Sequence, residues 1–288
     1  MNMKIPFTKM HGLGNSYIYI DGFQVELEED RLPELAKAVS SVYTGIGSDG
    51  LILVLPSDVA DVRMRIFNKD GSEAMNCGNG LRCVAKLAYD RGYVDQTEFT
   101  VEAKSGVVNA AVEVNHDTVH NVTIDMGQPI LERGQIPMVT LTGDEQDHVI
   151  QEPFLVGEEN LYATAVSMGN PHVVFYVDDI ADAPIDTVGP SVTNDQRFPE
   201  GVNVEFVEVL NDQEINFRVW ERGSGITQAC GTGACAAVVS SVLNKRVKRG
   251  EEVMVHLDGG DLIITWKDNG HVLMKGPAVT IATGEFYL

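Results

Sequence analysis

Two short turns carry the residues best suited to chemistry: Cys77-Gly78-Asn79-Gly80 and Cys230-Gly231-Thr232-Gly233. Each runs into an alanine-rich stretch whose apolar spacing predicts a helix, over Leu81 to Arg91 in the first case and Ala234 to Leu243 in the second. Each cysteine is therefore expected at a helix N-terminus. Unpaired backbone N–H groups and the positive end of the helix dipole favour an anion there by roughly 0.3 to 2 kcal/mol, which lowers a thiol pKa by about one unit at most. The same N–H groups can hold a carboxylate. Two such ends set opposite each other would hold a carboxylate with a sulfur on either side of the adjacent carbon. A thiolate then takes a proton from one face while a thiol delivers one to the other, and the N–H groups stabilise the charge gathering on the carboxylate.

Other readings of these residues fare worse. A buried cysteine is most often a small inert hydrophobe, and that reading suits Cys83 and Cys235, which fall within the apolar faces of the two helices. Zinc binding is disfavoured, because Cys77 to Cys83 and Cys230 to Cys235 are spaced more widely than a zinc knuckle and no histidine pair accompanies them. Neither turn ends in the Gly-Lys-Ser/Thr of a phosphate loop. Gly45-Ile46-Gly47-Ser48-Asp49-Gly50 fits the dinucleotide-binding spacing, but it leads into a strand and not a helix. On these spacings neither a metal site at the cysteines nor a nucleotide-phosphate loop is expected.

The elements that must position the turns are mostly short strands. Ile5 to Lys9, Tyr17 to Asp21, Leu51 to Leu55, Val62 to Phe67, Thr97 to Ala103, Val107 to Val114 and Val119 to Asp125 are rich in β-branched residues and bounded by Gly, Asn or Asp. They read as an antiparallel meander. A helix over Leu32 to Val42 has Pro33 near its start, and the helix after Cys77 stops at Gly92, suited to a left-handed C-cap. The second half repeats this order, with strands at Ala163 to Val166, Val173 to Val177, Val204 to Val209 and Ile215 to Val219, and a further helix at Ile185 to Val192.

Small motifs recur at nearly constant offset. Gly14-Asn15 matches Gly169-Asn170, 155 residues on, and the two Cys-Gly-x-Gly turns stand 153 apart. Asn68 precedes Cys77 by nine residues, as Glu221 precedes Cys230. Ordered matches of this kind indicate an internal duplication of about 150 residues. The length of 288 residues also suits two domains. The Pro-containing, polar stretch from Gly127 to Gln146 puts the junction near residue 130.

Composition narrows the class. Hydrophobic residues make up 44% and charged residues 22%, the balance of a globular protein with a core to bury. A formal charge of −21 repels phosphate backbones and anionic lipid, so nucleic acid and membrane surfaces are unlikely partners. No apolar run spans a bilayer and the start of the chain alternates like a strand, so a cytoplasmic protein with reduced thiols is expected.

FTKMHGLGNSYIYID, GIGSDGLILV, FNKDGSEAMNCGNGLRC, VSMGNPHVVF, EGVNVEFVEV and WERGSGITQACGTGAC occur in that order, and together they resemble the diaminopimelate epimerase family over essentially the whole length. The chain is also similar, more distantly, to proline racemases and phenazine-biosynthesis isomerases. The resemblance implies an α+β fold of two pseudo-symmetric domains, each a curved antiparallel sheet wrapped around a central helix. The domains would be residues 1–130, joined by a returning 277–288, and 131–276. It implies an isomerase, independent of pyridoxal phosphate and of metals, that interconverts LL- and meso-diaminopimelate on the route to lysine and peptidoglycan, probing no partner but its small-molecule substrate and a second copy in a homodimer.

By the same resemblance Cys77 and Cys230 are the acid/base pair, and Gly78, Asn79, Gly231 and Thr232 form the turns that hold the reacting carboxylate. Asn15, Asn68, Asn170 and Asn203 bind the substrate's amino and carboxylate groups, Glu221 and Arg222 fix its two ends, and His172 with Glu221 tunes the cysteines. Asn15 and Asn170 at Gly-flanked turns also suit a purely geometric role, His172 a structural one, and Glu221-Arg222 a surface ion pair. Ile226 and Gly50 depart from the glutamate and glutamine common in the family. Two rival functions remain open: a proline or hydroxyproline racemase of the same architecture, and a binding protein that does no chemistry.

Overall fold

The computed structural model describes residues 4–75, 77–140, 143–157 and 159–288; Asn76, which lies within the first cysteine motif, and residues 141 and 142 of the junction stretch fall outside them. In chain order the first elements are β1 (Lys4–Gly12), β2 (Asn15–Asp21), α1 (Leu32–Ser40), β3 (Gly50–Leu55), β4 (Val62–Asn68) and α2 (Gly78–Asp90). There follow β5 (Glu98–Ala103), β6 (Gly106–Asn115), β7 (Thr118–Asp125), β8 (Glu152–Val156), β9 (Glu159–Ser167) and β10 (Pro171–Tyr176). The rest are α3 (Ile185–Thr193), β11 (Asn203–Asn211), β12 (Glu214–Glu221), β13 (Gly225–Ile226), α4 (Gly231–Leu243), β14 (Val253–Leu257), β15 (Gly260–Trp266), β16 (Val272–Pro277) and β17 (Val279–Tyr287). The chain forms two compact units, Met1–Asp125 with Lys275–Leu288, and Met126–Met274.

In the first unit the strands run in the order β17, β1, β2, β3, β4, β5, β6, β7. The sheet curls around α2, which packs against β1, β3, β4, β6 and β7, while α1 covers the opposite face of β2, β3 and β4. Enclosure of α2 is complete enough to bury even Arg82 and Lys86. Both heads are satisfied: Arg82 donates to the Pro277 carbonyl, and Lys86 donates to Asp90 and the Val119 carbonyl. Such pairing is what makes a buried cation tolerable.

The second unit repeats the plan in the order β8, β9, β10, β11, β12, β14, β15. Its α4 packs against β9, β10, β11, β12 and β15, and α3 lies against β11 and β12. The Trp220↔Ile226 pair of β12 and β13 has its counterpart in the Phe67↔Glu73 bridge. The α+β class with a helix inside each curved sheet is as expected.

The strand pairing is not. Among the described pairings four are parallel: β2 with β3, β4 with β5, β10 with β11, and β12 with β14. Each is separated in sequence by a helix, and a crossover helix is the connection a parallel pair requires. The antiparallel meander predicted for the first half is thus found in β5, β6 and β7, and the sheets as a whole are mixed. The same crossovers explain why β3 and β10 read as continuous apolar runs, since each is covered by a helix on both faces.

Alternation decides which residues meet which helix. On β11, Val204 and Phe206 join Phe175, Val188 and Val192 in the core beneath α3; the intervening residues turn to the face of α4. Phe206 is fully buried and its ring lies 5.9 Å from that of Phe175. Replacing it by alanine is expected to cost about 3 to 5 kcal/mol of unfolding free energy, read as a lowered denaturant midpoint.

Candidate active site

Each helix starts one turn earlier than its apolar run predicts, because the glycines of the turn are themselves helical. Cys77 and Cys230 are the N-cap residues of α2 and α4, with extended backbones at φ −154° and −121°. That is the geometry in which a cap side chain can meet the first-turn N–H groups. Cys77 Sγ accepts from the Gly80 N–H at 3.4 Å.

In the first unit, β1 and β2 are joined by the two-residue turn Leu13-Gly14, both at positive φ, which delivers Asn15 to the head of β2. Its Oδ1 accepts from Cys77 Sγ at 3.4 Å and from Asn79 Nδ2 at 3.3 Å, and its Nδ2 donates to Asp49 at 2.9 Å. Asn79 Oδ1 in turn accepts from buried Arg82 at 3.0 Å. Asn15, Cys77 and Asn79 are therefore one connected group, and Gly78 is the first residue of the helix beside them. Asn68 is held apart from this network: its side chain donates to Ser72 within its own turn. At Gly50 an added Cβ would lie 2.1 Å from the Phe67 carbonyl oxygen, so the backbone here is built for glycine.

The second unit draws a longer chain. Cys230, 5% exposed, has Sγ 3.5 Å from Thr232 Oγ1. Thr232 Oγ1 accepts from Asn170 Nδ2 at 3.3 Å, Asn170 Oδ1 lies 3.0 Å from His172 Nε2, and His172 Nδ1 lies 2.6 Å from Glu205 Oε1. Gly231 opens α4 beside them. Asn203 donates to the Pro171 carbonyl and accepts the Arg222 N–H, a structural tie between β10, β11 and the turn after β12. Glu221 accepts from the Thr227 hydroxyl, and the Arg222 guanidinium donates to the Glu200 carbonyl at 2.7 Å, so these two residues do not form the surface ion pair considered from sequence. Ile226 pairs with Trp220 and is 39% exposed, and it supplies no carboxylate.

The electrostatics follow from burial. Burial, then the Glu221 and Glu205 carboxylates, push the Cys230 thiol well above its ordinary value, against the Thr232 hydroxyl and the Gly233 N–H, which favour the thiolate. Cys230 thus holds its proton more tightly than a free thiol does. Cys83, enclosed in α2, is pushed up to about 11 by burial, in keeping with an inert thiol, and Cys235 is equally buried. Among the described residues no group of three or more His, Cys, Asp or Glu side chains is arranged to hold a metal ion.

Three residues of these networks went unmarked in the sequence. Asp49 orients Asn15, Arg82 orients Asn79, and Glu205 binds His172. The one legible signal was for Glu205, an acidic residue inside the run Val204-Glu205-Phe206-Val207, where a strand buried on both faces leaves it no route to water.

Two α+β units of one plan, each with a cysteine at the N-cap of its enclosed helix, make an epimerase-type fold. The family model described as diaminopimelate epimerase matches residues 7–132 and 164–281. The chain is 62% identical over 284 residues to the diaminopimelate epimerase of Geobacillus sp. (strain WCH70), covering 99% of each. It is 61% identical over 282 residues to that of Bacillus subtilis (strain 168), covering 98% of each. This chain belongs to the diaminopimelate epimerase family and is an isomerase.

Solved structures extend the likeness of fold alone. A Bacillus anthracis phenazine biosynthesis protein of the PhzF family superposes with a TM-score of 0.70 at 18% identity, over 99% of this chain and 100% of that one. A hydroxyproline epimerase from Agrobacterium vitis does so at 0.67 and 14%, over 99% and 91%.

Glu221 is the foremost charge holding the proton on Cys230. Replacing Glu221 by Gln removes a negative charge that opposes the thiolate, so the Cys230 pKa is expected to fall by about one unit. Ultraviolet thiolate titration, with Cys230→Ala in the same background as blank, reads the shift.

Proposed function

We propose that the chain interconverts LL- and meso-diaminopimelate without cofactor, as a step toward lysine and peptidoglycan, with Cys77 and Cys230 working on opposite faces of one α-carbon. The observation that carries this reading is that each unit makes its cysteine the N-cap of its enclosed helix. A sulfur and the first-turn N–H groups of the helix then share one small space. In the direction that begins from protonated Cys230, Cys77 as thiolate takes the α-proton and Cys230 gives its own to the other face; the reverse reaction exchanges the roles. The N–H groups at Gly78-Asn79 and Gly231-Thr232 stabilise the negative charge that develops on the carboxylate.

Asn15 and Asn170 supply amide groups beside the two sulfurs, and Asn68, Asn203, Glu221 and Arg222 complete the contacts to the substrate's charged ends. His172 acts on Cys230 through Asn170 and not by touching it. Relatives at 61 to 62% identity that bear the diaminopimelate epimerase name support this substrate over proline. A homodimer in the cytoplasm belongs to the same proposal; among the described residues no helix is long and apolar enough to cross a membrane.

Proton NMR of LL-diaminopimelate in deuterated buffer, with reductant and chelator, tests the reading. The wild type is expected to exchange the α-proton and form the meso isomer, and Cys77→Ala and Cys230→Ala to form none. A wild type that binds both isomers without exchange would leave a binding protein, and exchange of proline alone would leave a proline racemase.

A further inference from the structure

The hydrogen-bonded chain beside Cys230 has a direction. Glu205 and His172 are both fully buried, and Glu205 Oε1 stands 2.6 Å from His172 Nδ1. The second carboxyl oxygen, Oε2, is buried with no hydrogen-bond partner among the described residues. An ionised carboxylate in such a place is costly unless a neighbouring cation answers it, and the group in contact is His172. Burial pushes the Glu205 carboxyl up, and His172 opposes that shift. The 2.6 Å contact holds one proton between Oε1 and Nδ1, on either the carboxyl or the ring.

The far end of the chain concerns the other ring nitrogen, Nε2. Asn170 spends Nδ2 on Thr232 Oγ1, which leaves Oδ1, an acceptor, 3.0 Å from His172 Nε2. A hydrogen bond there needs a hydrogen on Nε2. Thr232 Oγ1, already accepting from Asn170, is left with its own hydrogen to direct at Cys230 Sγ, 3.5 Å away. Read from Glu205 to the sulfur, every donor points toward Cys230.

The first unit shows that the fold does not require a carboxylate at this place. Glu205 pairs with Val174 across a parallel ladder, and Ile52 pairs with Tyr19 in the equivalent one. A Cβ added at Gly233 would lie 3.1 Å from Glu205 Oε1 and 3.2 Å from Cys230 Sγ; one added at Gly80 would lie 2.8 Å from Ile52 Cδ1 and 3.6 Å from Cys77 Sγ. The same niche under the helix start is filled by isoleucine in one unit and by glutamate in the other. Around Glu205 the titratable groups are His172 on β10, Glu221 at the end of β12 and Cys230 at the head of α4.

We propose that Glu205 is a positioning residue for Cys230: it keeps a hydrogen on His172 Nε2, which orients the Asn170 amide and the Thr232 hydroxyl so that a donor meets the sulfur when it gives up its proton. The inference rests on the reading of Cys230 as an acid/base group. No proton passes along the amide; Glu205 acts only through the orientation of the groups between.

Nitrogen-15 NMR of the histidine side chains tests the direction without any turnover. In the wild type at neutral pH, His172 Nε2 is expected to carry a hydrogen. In Glu205→Gln the amide serves Nδ1 as donor or acceptor alike, and both His172 tautomers are expected. The variant is expected to lose about 10- to 100-fold in kcat/KM for diaminopimelate with an unchanged melting temperature. Thr232→Val lowers kcat/KM as well, and the double variant is expected to be no worse than the more damaged single one. A bare Nε2 in the wild type, wild-type kcat/KM in Glu205→Gln, or effects that multiply in the double variant would each overturn the proposal. Should the wild type fail to epimerise diaminopimelate while His172 shows the hydrogen on Nε2, the substrate reading falls and the direction of the chain stands.

Discussion

The structure depends on placing a cysteine at the start of a helix that is itself enclosed by a sheet. A helix N-terminus leaves backbone N–H groups without partners, and burying such an end is tolerable only where something polar meets them. Here the cap is a thiol, glycines follow it, and the enclosing strands bring an asparagine against it. These features are one arrangement and not separate ornaments: an added Cβ at Gly80 would crowd Ile52, and one at Gly233 would crowd Phe217, Glu205 and the Cys230 sulfur.

Duplication supplies this arrangement twice, and the differences between the copies are as informative as the likeness. Asn15 and Asn170 each bond the second residue of the glycine turn, Asn79 and Thr232, and Asn15 also accepts from the Cys77 thiol. Two residues later the copies diverge, with Tyr17 in one and His172 in the other, and beneath the helix start Ile52 stands where the second unit has Glu205. Cys77 has the Asn15 amide against it, whereas Cys230 has the Glu221 and Glu205 carboxyl groups near it. A symmetric frame thus carries different side chains beneath its two helix starts.

The crossovers account for the remaining architecture. Each of the four parallel pairs is bridged by a helix, two helices going inside the curled sheets and two outside. The strands between them are buried on both faces, which is why a carboxylate at position 205 can be wholly withdrawn from water within a strand that is otherwise apolar.

Much was legible from residue order alone. The paired cysteines, their glycines, the helices after them and the duplication are local or periodic features, and the left-handed C-cap at Gly92 is a property of one residue type, seen at φ 71°. The parallel pairing was not legible, because a strand's own residues do not say which neighbour it lies beside when both its faces are buried. Nor was the role of Glu205, Asp49 or Arg82. Glu205 meets His172 only because β10 and β11 lie side by side with Val174 opposite Glu205, and Asp49 meets Asn15 only across the gap between β2 and β3. Sequence determined that a cysteine turn with its glycines and helix comes in two copies; the register of the crossovers decided which buried carboxyl stands near Cys230, since that contact joins residues far apart in the chain.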